Sequence, residues 1–220
     1  RSRPKVLWCT PGHEILTTSG KRHAGDCEGR FAEVPSHALS AGQEQMVLGS
    51  LLGDAHLDGG RQKANHFYRC GHGEAQRPYL EFKKQVLEFF VDSDIQEQVK
   101  KAEGPWKCRK VGVLTTIRHP EFSRLYALAY LDGRKRVSRN WLDRLDERGL
   151  AVWYQDDGCM TSKGGMSKIT VTFNTQGFTR MEVGLLQQWL QDRWGVTSTS
   201  YQHHRYTGRD MGWVICLSSV

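Results

Sequence analysis

The 220-residue chain carries two apolar stretches of like design, Met46-Val47-Leu48-Gly49-Ser50-Leu51-Leu52-Gly53-Asp54 and, roughly a hundred positions later, Leu150-Ala151-Val152-Trp153-Tyr154-Gln155-Asp156-Asp157-Gly158. Each reads as an apolar helix whose last turn holds a carboxylate beside a small residue, Ala55 or Gly158, and each is followed by a strand-like run. One such stretch would be an ordinary core helix. Two constrain the fold far more, because helices of this kind can pack lengthwise and bring their terminal acids together at one end of the seam, where the pair can hold a divalent cation. Gly49, Ser50 and Gly53 would let the backbones approach closely. Val152, Trp153 and Tyr154 are bulky where small residues are expected, so the two halves should pack asymmetrically.

The order of elements around the two stretches repeats. Ser40 or Gly42 precedes the first helix, which should run from a polar turn at Gln43, Glu44 and Gln45 to about Asp54. A β-hairpin over Gly59-Gly60 and Asn65 to Gly71 follows, then a helix from Arg77 to Val91 with Pro78 in its first turn. Val111 to Ile117 reads as a strand and Glu121 to Tyr130 as a helix, with a basic turn, Asp132 to Arg136, after it. Beyond the second stretch come a strand over Ser167 to Asn174, a helix over Thr179 to Trp194 opened by a Thr179/Glu182 capping box, and strands over Val196 to His203 and Gly212 to Ser218. The chain therefore divides into an N-terminal extension (1–42) of turn-rich or short β structure and two halves (43–140 and 141–220), related by a weak internal repeat of element order.

The composition agrees. A net charge of +7, from 31 Lys+Arg against 24 Asp+Glu, favours a polyanionic partner, nucleic acid first. No run is long and apolar enough to span a bilayer, and no secretory signal opens the chain, so the expectation is an intracellular, cytoplasmic protein without membrane contact. Cysteines 9, 27, 70, 108, 159 and 216 form no Cys-x-x-Cys pair, which argues against a zinc ribbon or a disulfide framework and for reduced, mostly buried thiols. Cys70-Gly71-His72 and His203-His204 lack a second ligand pair at finger spacing.

The two stretches, together with Tyr130-Leu131-Asp132-Gly133-Arg134-Lys135-Arg136-Val137 and Phe173-Asn174-Thr175-Gln176-Gly177-Phe178-Thr179, resemble the LAGLIDADG homing endonucleases, in the subfamily whose second motif ends Trp-x-x-Asp-Asp-Gly. The resemblance covers about residues 44 to 218. It implies an α+β fold of two pseudo-symmetric αββαββα-like halves, each with an antiparallel sheet, joined by the packed motif helices. It further implies a monomer without an obligate protein partner that binds a long, asymmetric site on double-stranded DNA and makes a staggered cut with 3′ overhangs. Carried over by position, Asp54 and Asp157 are the catalytic metal ligands, with the main-chain carbonyls of Gly53 and Asp156 as further ligands. Such oxygen ligands suit Mg²⁺ (or Mn²⁺), and water activated there would attack phosphorus in line.

A cation beside each scissile phosphate is also expected. Lys135, Arg136, Lys163 and Lys168 are the candidates, with Lys135 and Lys168 put forward as catalytic; Arg136 stands where the subfamily commonly has Lys. For DNA contact, Arg61, Lys63, Asn65 and Arg69 share one strand parity, Lys107 and Arg109 another, Arg134 to Arg136 fill the basic turn, and Gln202, His203, His204 and Arg205 cluster late in the chain. Near the N-terminus, Thr10-Pro11-Gly12-His13-Glu14-Ile15-Leu16-Thr17 resembles a splicing block of inteins, so the extension reads as a remnant of, or neighbour to, a splicing domain. The alternative function is a LAGLIDADG protein that binds DNA or RNA without cutting, a regulator or a maturase; loss of one motif carboxylate would favour it, and both are present.

Overall fold

A computed structural model of the chain describes residues 14–17, 20–23, 37–59, 65–101, 108–162, 169–204 and 210–217. Two compact units divide it, residues 1–38 and 39–220. In the first, β1 (Glu14–Thr17) and β2 (Gly20–His23) form an antiparallel hairpin in which Thr17 pairs with Gly20. The Thr10–His13 part of the splicing-like block lies outside the described residues.

The second unit opens with α1 (Ala41–Leu52). Ser40, not Gly42, caps it: its hydroxyl accepts from the Gln43 backbone N–H while the Gln43 side chain accepts from the Ser40 N–H, which satisfies two otherwise orphaned donors. Gly53 ends the helix, so Asp54 sits in the turn just beyond it. After β3 (His56–Asp58) and β4 (Phe67–Gly73) comes α2 (Arg77–Val86), shorter than the expected run to Val91, because the chain tightens into a 3₁₀ turn at Glu88–Phe90. β5 (Gln96–Lys101), β6 (Cys108–Thr115) and α3 (Pro120–Ala129) complete the half. β5, with the sequence Gln-Glu-Gln-Val-Lys-Lys, was not foreseen, since a polar edge strand shows little apolar alternation.

A small hairpin of β7 (Tyr130–Leu131) and β8 (Arg134–Lys135) and the short α4 (Arg139–Leu142) lead to α5 (Glu147–Asp157). Asp132 takes a left-handed conformation, φ 51°, at the hairpin tip before Gly133. The second half then runs β9 (Gly158–Ser162), β10 (Ile169–Asn174), α6 (Arg180–Trp194), β11 (Ser198–His204) and β12 (Asp210–Leu217). The expected Thr179/Glu182 capping box is formed. Each half thus holds one four-stranded antiparallel sheet, in the orders β3-β4-β6-β5 and β11-β12-β10-β9. Among the described residues no helix is long and apolar enough to cross a membrane. Cys70, Cys159 and Cys216 are free thiols; Cys70 is buried as expected, whereas Cys159 is exposed and Cys216 intermediate.

The core runs between the sheets' inner faces and the helices, with Val47, Leu48, Leu51, Leu80, Phe122, Trp141, Trp153 and Trp189 almost wholly buried. Its spine is the packing of α1 on α5. Gly49 and Gly53 serve as expected: a Cβ on Gly49 would stand 2.2 Å from the Gly149 carbonyl oxygen, and one on Gly53 would stand 2.4 Å from Asp156 Cβ. Gly149 supplies the small residue that the bulky second motif lacks. Gln45 locks the seam, donating to the Arg144 carbonyl (2.7 Å) and accepting from the Asp146 N–H (2.9 Å) at the start of α5. Because the atoms facing Gly49 are backbone, Gly49→Ala must spread the helices. It is expected to cost about 1–3 kcal/mol of stability in denaturant melts, the usual overpacking penalty, whereas Gly184→Ala, with open space around it, should stabilise slightly.

Candidate active site

The seam ends in three carboxylates, Asp54, Asp156 and Asp157, set by the turn after α1 and by the last turn of α5. They face different surroundings. The Asp156 side chain is fully buried and turns inward: Oδ2 accepts from Ser50 Oγ (2.6 Å) and Oδ1 from Lys83 Nζ (2.6 Å). Lys83, wholly buried on α2, also donates to Ser50 Oγ (2.8 Å) and lies 3.0 Å from His72 Nε2. Tyr68 OH donates to Ser50 Oγ (2.9 Å), closing the network under the motif helix. Burial of such a charge pair without these partners would be severely unfavourable.

Asp54 and Asp157 are less buried. The Asp54 side chain is 40% exposed, with Oδ2 3.3 Å from the buried His72 Nδ1. Asp157 is half-buried, and burial first, then the charges of Asp54 and Asp156, push its carboxyl up from 3.8 to about 7, with Lys135 and Lys83 pulling the other way. Two acids held near each other with an all-oxygen donor set are chemically suited to a hard cation. Among the described residues no three His, Cys, Asp or Glu side chains converge as a closed metal cage, so an ion there would complete its coordination with water and phosphate.

The raised Asp157 carboxyl has a measurable sign. Between about pH 4 and pH 7 the folded protein keeps a proton that the unfolded chain has released, so stability falls across that window and the whole cost is present above pH 7. Asp157→Asn should therefore raise the melting temperature of metal-free protein by several degrees at about pH 8, and leave it nearly unchanged at about pH 4.

Lys135 lies in β8 with its ammonium donating to the carbonyls of Leu51 (3.0 Å), Gly53 (3.3 Å) and Ala55 (2.8 Å). It caps the C-terminal end of α1, where the helix dipole and unpaired carbonyls favour a cation. Burial lowers its pKa, against the pull of Asp157, Asp54 and Asp156. The Gly53 carbonyl thus already has a donor. Arg136 stands 3.8 Å from Glu182, and Arg134 is exposed at the hairpin.

Strand register sorts the remaining candidates. On the first sheet the face opposite the helices carries Arg69 paired with Thr115, His56 beside Arg69, and Gln96 and Gln98 paired with Val113 and Val111. Arg69 Nη2 donates to Gln98 Oε1 (3.5 Å), and in the β5–β6 backbone register Arg109 is the partner of Lys100. On the second sheet the corresponding face carries, among the described residues, Cys159, Thr161, Thr170, Thr172, Thr199 and Tyr201. Gln202 is paired with Trp213 on the helix side, and His203 is exposed on β11. Asn65 accepts from Arg118 through its carbonyl (2.8 Å) and from Ser123 through Oδ1 (3.5 Å). Arg61, Lys63, Lys107, Lys163, Lys168 and Arg205 lie outside the described residues.

Sequence reasoning missed Lys83, His72, Ser50 and Arg118 as members of this region. Lys83 had a signal: it stands between Leu80 and Leu87 on the apolar stripe of α2, where an unpaired lysine would not be tolerated. Arg118 had none. It donates to the carbonyls of Gly59 (2.9 Å) and Asn65 (2.8 Å), joining the residues on either side of positions 60–64.

Two αββαββ halves joined along packed helices whose ends carry acids define one class of protein. The chain belongs to the LAGLIDADG DNA endonuclease family, whose model matches residues 44–219. It is similar to Protein RecA of Mycobacterium shimoidei, 32% identical over 202 residues that cover 85% of this chain and 44% of that protein. It is also similar to the cytochrome b mRNA maturase bI2 of Debaryomyces hansenii, 27% identical over 163 residues, 72% of this chain and 59% of that protein. The chain thus spans less than half the length of the RecA relatives it matches. Among solved structures it is similar to the homing endonuclease I-WcaI bound to its DNA recognition sequence, with a TM-score of 0.71 at 19% identity over 87% of this chain and 85% of that one, a likeness of fold.

Proposed function

We propose that the protein is a site-specific endonuclease that binds a long asymmetric duplex and hydrolyses both strands, using Mg²⁺ or Mn²⁺ held by Asp54 and Asp157. The observation that carries this reading is the mutual placement of these two acids, close enough that the charge of Asp54 helps to keep a proton on Asp157. The bound cation would supply charge to offset the developing negative charge at phosphorus and would acidify water. The protein's own groups do the rest. Lys83, Ser50 and His72 hold the seam end, Lys135 fixes the turn that carries Asp54, and the polar sheet faces set the duplex in register. The halves 43–140 and 141–220 each serve one half-site, so one chain suffices, and sedimentation should show one protein per duplex.

Incubating the protein with a randomised duplex library and Mg²⁺, then sequencing the ends, tests the reading. A unique long site with staggered ends is expected; intact DNA across the library would overturn it. On the selected site, log affinity should fall linearly with log salt, by about 0.9 for each phosphate contacted. Arg69→Ala and Arg109→Ala separate two roles: loss of a base reader relaxes preference at one position, whereas loss of a phosphate contact weakens all sequences and flattens the slope by about one.

The likeness to part of RecA and the splicing-like Thr10–Thr17 block support an endonuclease carried within a host reading frame. A second reading, RNA binding without cleavage, is favoured by the maturase relative. Retention of both motif carboxylates supports the nuclease over it.

A further inference from the structure

The two motif acids are not equivalent, and the difference lies in what stands behind them. Behind Asp54 is a buried chain of polar groups: Asp156 Oδ1 to Lys83 Nζ at 2.6 Å, Lys83 Nζ to His72 Nε2 at 3.0 Å, and His72 Nδ1 to Asp54 Oδ2 at 3.3 Å. An ammonium has only protons to give, so His72 Nε2 must accept and the ring proton belongs on Nδ1, the atom that faces Asp54. That Nδ1 is buried and makes no satisfied hydrogen bond in this structure, although a carboxylate oxygen stands beside it. A small turn of the exposed Asp54 side chain would complete the bond.

Among the described residues nothing comparable backs Asp157. At the same separations from Asp157 as Ser50, His72 and Lys83 have from Asp54 stand Trp153, Thr175 and Leu186. Trp153 and Leu186 are buried apolar groups, and the Thr175 hydroxyl is spent on the Trp213 carbonyl (2.7 Å). Among the described residues no side chain donates a hydrogen bond to Asp157.

Resting on the nuclease reading, we propose that His72 is a positioning residue that orients Asp54 alone, with Lys83 fixing its tautomer, so that the two halves of the site differ in cation affinity and the two strands are cut at different rates. His72 does not touch DNA or take part in the chemistry. It holds one of the acids in the rotamer that a cation needs, whereas Asp157 must be ordered by the cation itself.

Three substitutions test this. His72→Phe keeps the ring and removes both polar atoms. His72→Asn places an amide N–H on Cγ, where Nδ1 stands, and keeps the donor for Asp54, whereas His72→Gln carries its amide out to the Nε2 position, where it can meet Lys83 but not Asp54. Thermal melts identify which variants fold, and should His72→Phe not fold, the Asn and Gln pair carries the comparison. Tb³⁺ titration of the protein, read by sensitised tryptophan emission, should show affinity lowered about tenfold in His72→Phe and His72→Gln and restored to within about threefold in His72→Asn. Single-turnover cutting of a duplex labelled separately on each strand should show one strand slowed about tenfold and the other within about threefold, with Asn again restoring the balance. Unchanged Tb³⁺ affinity, or equal slowing of both strands in step with lost stability, would overturn the proposal. A wild-type protein that cuts no duplex would sink the nuclease reading instead, and the Tb³⁺ titration would still decide the role of His72.

Discussion

Asp54→Asn and Asp157→Asn are each expected to abolish double-strand cleavage, lowering it by at least a hundredfold to a thousandfold, the usual cost of removing one group that meets transition-state charge. An amide keeps the shape of the carboxylate and loses the charge that holds a cation, so the fold should survive. Target affinity should stay within about threefold, because it rests on phosphate and base contacts spread along two sheets rather than on the acids. In EDTA it should even tighten, since each substitution removes a negative charge facing phosphate. Gel shifts in Ca²⁺ and cleavage assays in Mg²⁺ separate the two effects. Full cutting by either variant would remove the two-acid mechanism.

The second large effect concerns Lys83. Lys83→Met leaves the Asp156 carboxylate buried without its cation, and breaking a buried pair on one side costs about 3–5 kcal/mol. The loss should appear as a large fall in the denaturant midpoint. Adding Asp156→Asn removes the stranded charge while the amide can still accept from Ser50, so the double variant should regain more than half of the loss. A double variant no more stable than Lys83→Met would show that the lysine acts through its hydrocarbon stem and not its charge.

The element order was legible in the sequence because its determinants are local. Ser40 and Thr179 begin their helices with side-chain caps, Pro78 stands in the first turn of α2, and the apolar periods of α2, α3 and α6 are set by neighbours one turn away. The paired acids were legible for the same reason, as Asp157 ends α5 and Asp54 stands in the turn just after α1. What could not be read depends on contacts between residues far apart in the chain. Gly149 matters only because Gly49 lies against it, and Arg118 only because the carbonyls of Gly59 and Asn65 come within its reach. Lys135 shows the limit well: its place in the basic turn suggested a catalytic cation, while its position against the end of α1 gives it three backbone carbonyls to hold. His72, lying in a Cys-Gly-His string without finger spacing, carried no sign of the lysine that sets its tautomer.

The Lys83–Asp156 pair spans the seam, the ammonium coming from one half and the carboxylate from the other. Neither half can therefore serve as its own mate. Two copies of the first would set Gly53 against Gly53 and leave two buried lysines without a counter-ion, while two copies of the second would bring Asp156 against Asp156 with no lysine to receive either. For anyone building chimaeras by exchanging halves with a relative, Ser50, His72, Lys83 and Asp156 form a compatibility code, and a transplanted half will be accepted only if it brings the complementary charge to the seam.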